Sequence, residues 1–301
     1  FVYHEKCERE PAQQTPAPSL PHCNIYGWTF RLYGIHYLPL FGKKTLSILM
    51  QRASTFLAHR LFSSGAFIAL LYSLTCGILI ATTSREVLGM NAFIKPLKFG
   101  LSTCILFLFF SWYSNFLPRV KKKAFERFAR VYAAVMIFEL GWIFIQASRG
   151  TISHFNTSTV FEEIMFNLMG IAISISTAWT LILFKWTFRT DFRMMPGVLW
   201  ALRFGILYFV IFGFSGFLMG AYLNHFVGAP LAAQGIPVLG WSTTVGDLRI
   251  AHFFGLHALQ VLPILAHLLK TKAFGSIIIS IVYGLGCSAL LYLALLGQSP
   301  I

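Results

Sequence analysis

Long apolar segments alternate with short polar connections from about residue 60 to the end of the chain. Each segment has about 20 residues or more, which is enough to cross a hydrocarbon core of about 30 Å at 1.5 Å per residue of helix. The pattern therefore predicts an all-α fold, an integral membrane bundle of about seven transmembrane helices. The segments run roughly over 61–82, 99–117, 130–148, 163–185, 198–222, 248–269 and 274–297.

The stretch before these segments has a different character. Residues 1–49 begin with Phe1, contain five prolines and show no lasting periodicity. We expect either a disordered cytoplasmic tail or non-native upstream sequence followed by a natural start at Met50, and we assign this stretch no function. The predicted domains are thus an N-terminal tail over 1–49 and a seven-span transmembrane domain over 50–301.

Composition and charge agree with a membrane protein. The chain of 301 residues is 56% hydrophobic and 11% charged, with a mean hydropathy of +0.69. Its net charge of +14 comes from basic residues that bunch in alternate connections, at 119–130, 185–193 and 270–272. Because basic loops stay cytoplasmic, this distribution predicts a cytoplasmic N-terminus and an external C-terminus. It does not indicate a nucleic-acid partner.

The sixth apolar segment carries a polar stripe. At 100° per residue, Arg249, Gln260 and His267 fall within about 20° of one another on a helix, and His252 and His257 flank them at about 60° and 80°. A helix that faced only lipid could not carry these groups cheaply. The stripe is therefore expected to face other helices or a wet cavity.

The third segment has a similar face. Glu139, Gln146 and Arg149 lie within about 80° of one another on a helix. Glu139 is near the middle of the membrane, where a carboxylate is costly unless it is paired or protonated. The polar turn that follows, with His154 and Asn156, is either an ordinary helix end or an external binding turn, and both interpretations stay open.

Lys95 and Lys98 stand at the start of the second segment, where cations oppose the helix dipole. They either snorkel to the interface or pair with an anion or with nearby acids.

Asp247 and Glu162 each follow a threonine by three residues, as in a capping box, so a capping role is expected for both. We also predict that Glu139 contacts His257, since both lie near mid-depth.

Three stretches resemble a family of uncharacterised bacterial multi-spanning inner-membrane proteins. They are Asn91-Ala-Phe-Ile-Lys-Pro-Leu-Lys-Phe-Gly-Leu-Ser102, Gln146-Ala-Ser-Arg-Gly-Thr-Ile-Ser-His-Phe-Asn156, and Gly246-Asp-Leu-Arg-Ile-Ala-His-Phe-Phe-Gly-Leu-His-Ala-Leu-Gln260. The likeness covers roughly residues 60–270. It implies a location in the bacterial inner membrane and brings no activity, substrate or cofactor with it.

These observations predict a polar, ionisable pocket in the extracytoplasmic half that binds a small ligand or relays protons. The alternatives are a b-type haem redox protein and a non-catalytic scaffold or complex subunit, so the sequence does not decide whether the protein is an enzyme. Beyond the lipid bilayer and a small ligand or proton, the expected partners are copies of itself or subunits of a membrane complex. The candidate residues are Lys95, Lys98, Glu139, Gln146, Arg149, His154, Asn156, Asp247, Arg249, His252, His257 and Gln260.

The haem alternative needs two imidazole ligands, with cations to meet the propionates. His252 or His257 would supply one ligand, and His154 or His225 the other. The two histidines of the second pair lie in predicted loops, which weakens this alternative. No spacing of residues typical of a protein metal site occurs.

Overall fold

A computed structural model describes residues 54–189, 192–231 and 235–301. The tail predicted over 1–49 lies outside the described residues. Seven helices in the described part are long and apolar enough to cross a membrane. The prediction of an all-α bundle of seven transmembrane helices is therefore confirmed.

The helices follow the apolar segments closely. Spans 1 to 3 are α1, α2 and α3; α4 and α5 together form span 4, and α6 and α7 form span 5; α8 and α9 are spans 6 and 7. Short 3-10 turns end span 2 at Ser114–Phe116 and begin span 3 at Arg119–Lys121. The bounds are α1 Arg60–Thr82, α2 Ile94–Tyr113, α3 Lys122–Arg149, α4 Val160–Trp179, α5 Leu181–Trp186, α6 Pro196–Phe214, α7 Gly216–Tyr222, α8 Leu248–Leu268 and α9 Ala273–Leu295.

Two small antiparallel ladders lie in the connections. Strand β1 (Glu86–Val87) pairs with β2 (Met90–Asn91) between spans 1 and 2. Strand β3 (Phe226–Val227) pairs with β4 (Gly246–Asp247) across the connection between spans 5 and 6. We call the end of the bundle that carries these ladders the histidine end, because its loops hold His154 and His225. The opposite end, which carries the basic connections, is the basic end.

Small residues let neighbouring spans approach closely. The tightest pairs are spans 1 with 2 and spans 5 with 6, and span 7 packs on both 5 and 6. A Cβ atom on Gly65 would lie 2.6 Å from the ring of Phe107, and one on Gly205 would lie 2.9 Å from the carbonyl oxygen of Ala258. Such contacts are typical of helix pairs in membranes, where close packing has to replace the hydrophobic effect.

Tyrosine hydroxyls tie spans that are distant in sequence. Tyr72 of span 1 donates to the carbonyl of Leu140 in span 3 at 3.0 Å, and Tyr208 of span 5 donates to that of Ser280 in span 7 at 3.0 Å. In span 2, Tyr113 reaches the carbonyl of a residue in span 4 at 2.8 Å. Each bond satisfies a hydroxyl that lipid could not.

The main core is aromatic and lies toward the basic end. Phe110, Phe128 and Tyr132 are almost fully buried there, together with Leu202 and Leu259 from spans 5 and 6. This core joins spans 1–3 to spans 5 and 6 in the half of the bundle nearer the basic end. Toward the histidine end, the same seam between the two groups of spans is occupied by polar side chains.

Candidate functional site

The start of span 2 brings two cations to the histidine end. Asn91 fixes the approach, since its side chain donates to the carbonyl of Thr83 at 2.8 Å and accepts from the amide of Phe93 at 3.0 Å. Lys95 and Lys98 follow in the first turn of α2, three residues apart, and both are partly buried. Residues at this spacing share one face of a helix.

Lys98 and Arg249 hold the connection between spans 5 and 6 over this region. The Lys98 ammonium donates to the carbonyls of Val238 and Leu239 at 3.1 and 3.0 Å. The Arg249 guanidinium, from the first turn of span 6, donates to the next carbonyl, that of Gly240. Cations from two spans therefore fasten three consecutive carbonyls of one loop, which we call the covering loop (residues 235–241). Lys98 also lies close enough to the acid Asp247 for their charges to interact, and its pairing with an anion stays a prediction.

Asp247 is structural. Its side chain is fully buried and caps span 6 by accepting from the amide of Arg249 at 3.0 Å. The carboxylate also accepts from the Arg249 side chain at 2.7 Å and from the amide of Ser242 at 3.0 Å. Asp247 is itself the N-cap residue, so the capping box predicted to begin three residues earlier, at Thr244, is wrong. Its capping role is confirmed.

Lys95 and Glu139 form the deeper part of the site. The charge on Lys95 lies close enough to those of Glu139, Lys98 and Arg249 to interact with each. Glu139 is 5% exposed, and its Oε1 atom has no hydrogen-bond partner among the described residues. The contact predicted between Glu139 and His257 does not appear among the hydrogen bonds and ion pairs of this part of the chain. Lys95 provides the opposite charge instead.

Four histidines surround these groups. The Nδ1 atom of His252 lies 2.7 Å from the carbonyl oxygen of Phe212. Since a carbonyl can only accept, Nδ1 carries the proton and Nε2 is left as an acceptor. His257 packs on the ring of Phe253, with a centroid separation of 4.4 Å, and interacts electrostatically with His252 and Gln260.

His154 and His225 lie in the loops above. The ring of His154 is 5.9 Å from that of Phe99, and the ring of His225 is 4.3 Å from that of Phe226. Burial, and then Lys95, holds the pKa of His154 well below its usual value. Burial, and then Arg249, lowers the pKa of His225 to about 3. Both imidazoles are therefore neutral at physiological pH and can donate or accept hydrogen bonds.

These electrostatic neighbours connect into a single group, which we call the polar cluster. Glu139 interacts with Lys95, which interacts with His154; His154 interacts with His252, and His252 with His257. The cluster draws on spans 2, 3 and 6 and on the loops after spans 3 and 5. Its members are Lys95, Lys98, Glu139, His154, His225, Arg249, His252, His257 and Gln260.

Three other candidates have structural contacts of their own. Gln146 is fully buried and donates to the carboxylate of Glu162 in span 4. Arg149 lies 2.5 Å from the same carboxylate. Asn156 shapes its own turn, since it donates to the carbonyl of Ile152 at 3.3 Å. Gln146 and Arg149 thus hold spans 3 and 4 together, and Asn156 braces the turn between them, which favours the helix-end interpretation of the turn that follows span 3.

The Glu162 cap is confirmed in part. Thr159 caps span 4 by accepting from the amide of Glu162 at 3.2 Å. The Glu162 side chain does not reach back as in a full capping box, because it binds Arg149 and Gln146. In both places a threonine is followed three residues later by an acid. The threonine is the N-cap in span 4, at Thr159, but not in span 6, where the acid Asp247 takes that position instead of Thr244.

Part of the arrangement has no sequence signal. Nothing in the sequence marked which carbonyls of the covering loop the cations would hold. The ring of Phe226 lies 4.8 Å from the guanidinium of Arg249, a contact that depends on the ladder between β3 and β4. His225 was considered only as a haem ligand, yet the ladder places it in the polar cluster.

Among the described residues, no group of three or more His, Cys, Asp or Glu side chains is arranged to hold a metal ion. A haem held by two of the histidines stays a prediction.

No known protein family, curated protein or solved structure matches this chain. The fold and the seven apolar spans define the class as a multi-pass membrane protein in contact with a lipid bilayer. The bacterial family likeness stays a prediction.

Proposed function

We propose that the protein is a bacterial inner-membrane protein whose polar cluster faces outward and binds a small anionic ligand. The observation that carries the proposal is the convergence of Lys95, Lys98 and Arg249 at one end of the bundle, against the buried acids Asp247 and Glu139. Asp247 is already bound to Arg249 at 2.7 Å. The remaining positive charge would attract an anion in a setting of low dielectric constant.

Lys95 is the residue best placed to meet such a ligand. Lys98 and Arg249 each donate to the covering loop, whereas Lys95 has a ring contact, 5.9 Å from the centroid of Phe99, and electrostatic neighbours. The neutral rings of His154 and His252 lie near it and would donate or accept hydrogen bonds. All of these side chains are partly exposed, so an anion could reach them from the aqueous side.

The proposal is tested by thermal unfolding of the purified protein in detergent, with sodium phosphate or sodium acetate added at matched ionic strength. We expect a ligand-dependent rise in melting temperature for the wild-type protein. Lys95→Gln should weaken the apparent affinity by roughly 10-fold to 150-fold, the loss of one hydrogen bond to a charged group. Arg85→Gln removes an exposed cation from the same end and should leave the affinity unchanged. Equal affinities in wild type and Lys95→Gln would refute the proposal.

Proton relay is the second candidate, and Glu139 favours it. A carboxylate buried beside Lys95, with one oxygen atom lacking a partner among the described residues, can exchange a proton more readily than one held by several donors. If so, Glu139→Gln would abolish proton uptake by the protein reconstituted in vesicles with a pH-sensitive dye inside. Binding of phosphate or acetate without any proton movement would favour the simple ligand site. If the protein neither binds these anions nor takes up protons, a non-catalytic scaffold remains as its function.

A further inference from the structure

A cavity at the basic end is separate from the polar cluster. It has a volume of about 250 Å³ and is lined by Lys121, Ile182, Lys185, Trp186 and Arg189. Lys121 precedes the long helix of span 3. Ile182, Lys185 and Trp186 lie in the last helix of span 4, and Arg189 follows it. Both places are helix ends, so the cavity lies where the bundle meets the membrane interface. Its volume is below the roughly 300–1,000 Å³ typical of small-molecule pockets.

The lining joins two chemistries. Three cationic side chains form one part, and Ile182 and Trp186, one turn apart on span 4, form the other. Leu181 and Phe188 lie beside them in sequence, and their side chains are 41% and 53% exposed. Cations next to an apolar wall that continues into lipid-facing side chains match a molecule with a charged head and a hydrocarbon tail.

Helix ends around the cavity support an anion there. Lys121 is the residue before a helix of 28 residues, whose N-terminal dipole attracts negative charge. The C-terminal end of span 4 carries the negative end of its helix dipole and would repel an anion. Arg203 offsets part of that negative charge, because it donates to the carbonyl of Thr187 at 2.8 Å. No acidic side chain is among the residues that line the cavity.

A neighbouring cavity provides a comparison. It is larger, about 410 Å³, and is lined by Lys123, Glu126, Arg127 and Arg130. It includes an acid, and its lining has no apolar side chain. An anionic headgroup would meet repulsion there and find no surface for its acyl chains. The two cavities therefore share the basic end but differ in the features that a lipid needs.

We propose that the cavity lined by Lys121, Lys185 and Arg189 binds the phosphate headgroup of an anionic phospholipid, with the acyl chains along Ile182 and the exposed side of span 4. This site is independent of the ligand proposed for the polar cluster. An anionic leaflet on this side of the membrane would reinforce the orientation that the basic loops predict.

Native mass spectrometry of the full chain in detergent tests the proposal, with phosphatidylglycerol and phosphatidylcholine of identical acyl chains as probes. We expect one phosphatidylglycerol to bind before others, and phosphatidylcholine to bind more weakly. Lys121→Gln with Lys185→Gln should weaken that first binding by roughly 30-fold, because each cation near the surface contributes about 5-fold. Lys121→Arg with Lys185→Arg should keep it.

The matched control is Lys122→Gln with Lys123→Gln, which removes the same charge at the same end but leaves the cavity lining intact. We expect it to change the first binding by less than about threefold, and size-exclusion profiles should show that every variant is folded. An equal loss in the control variant would overturn the site in favour of diffuse charge. Equal binding of the two lipids, or displacement of phosphatidylglycerol by millimolar inorganic phosphate, would also overturn the assignment to an anionic lipid.

Discussion

The ion pair between Arg149 and Glu162 allows a quantitative test of how the histidine end is held together. The Glu162 side chain is 3% exposed and that of Arg149 is 51% exposed, with 2.5 Å between NH1 and Oε1. Gln146 donates to the other carboxylate oxygen. The two charges therefore have unequal surroundings, since one is buried and the other can turn toward solvent.

We expect the two single substitutions to differ for that reason. Arg149→Gln leaves a buried carboxylate with its charge uncompensated, which costs about 3 kcal/mol of unfolding free energy, the lower end for a broken buried pair because Arg149 is half exposed. Glu162→Gln keeps an oxygen that accepts from Gln146 and lets Arg149 turn outward, so it should cost about 1 kcal/mol. The double variant should resemble Glu162→Gln, which gives a coupling of about 2–3 kcal/mol.

The assay is reversible unfolding in mixed micelles with increasing sodium dodecyl sulfate, followed by circular dichroism, for all four members of the mutant cycle. Glu163→Gln is the matched control, because it removes the neighbouring exposed acid from the same helical turn. It should change the free energy of unfolding by less than about 0.5 kcal/mol. Equal costs for Arg149→Gln and Glu162→Gln, or additive effects in the double variant, would refute the reasoning.

Three further predictions concern other parts of the bundle. Burial lowers the pKa of His59 below its ordinary value of 6.5, and the charge of Glu126 opposes that shift. The contribution of neutral His59 to the free energy of unfolding is therefore complete above about pH 6.5 and is lost as the pH falls below it. His59 is the N-cap of span 1, where its Nδ1 atom accepts from the amide of Phe62 at 3.4 Å. His59→Asn offers an amide oxygen in place of that nitrogen and should flatten the fall in melting temperature. Tyr208→Phe should lower the free energy of unfolding by about 0.6 kcal/mol, because one interhelical hydrogen bond is lost. Tyr222→Phe is the control and should leave the free energy of unfolding unchanged, because Tyr222 is 59% exposed. Val238→Gly should raise the melting temperature, since Val238 has a φ of +66° and the left-handed region costs a residue with a Cβ about 1–2 kcal/mol.

The spans were predictable because their apolar composition is a property of each segment alone. The third apolar segment was predicted to begin at 130, whereas the helix begins at Lys122. The second apolar segment was given from 99, although Lys95 and Lys98 were already expected at its helix start, and the helix begins at Ile94. Lysines and arginines at a helix start look like loop residues, although helices continue through the membrane interface, where such side chains reach the polar layer.

The candidate site was predictable only where one helix carries the pattern. The face of Arg249, His252, His257 and Gln260 follows from helical periodicity. In the structure Arg249 lies near Lys95 of span 2, and His252 contacts the carbonyl of Phe212 in span 5 and lies near the loop residue His154. Partners from other segments could not be derived in the same way. Glu139 interacts with the charge of Lys95 on span 2, and that pairing depends on the relative heights and rotations of the helices, which no single segment encodes.

The location of the polar cluster follows from how the spans pack. Glycines let the tight pairs pack closely: at Gly205 the backbone of span 6 fills the place of a side chain, and at Gly65 the ring of Phe107 does. Spans 2 and 6 are not among the closely packed pairs of the described residues, so side chains fill the seam between them. Toward the basic end these are aromatic rings. Toward the histidine end, water can reach the helix starts, and charged groups such as Lys95 and Arg249 are tolerated there at lower cost. A ligand of the polar cluster would therefore bridge spans 2 and 6, whose backbones do not form one of the tight pairs of the described residues.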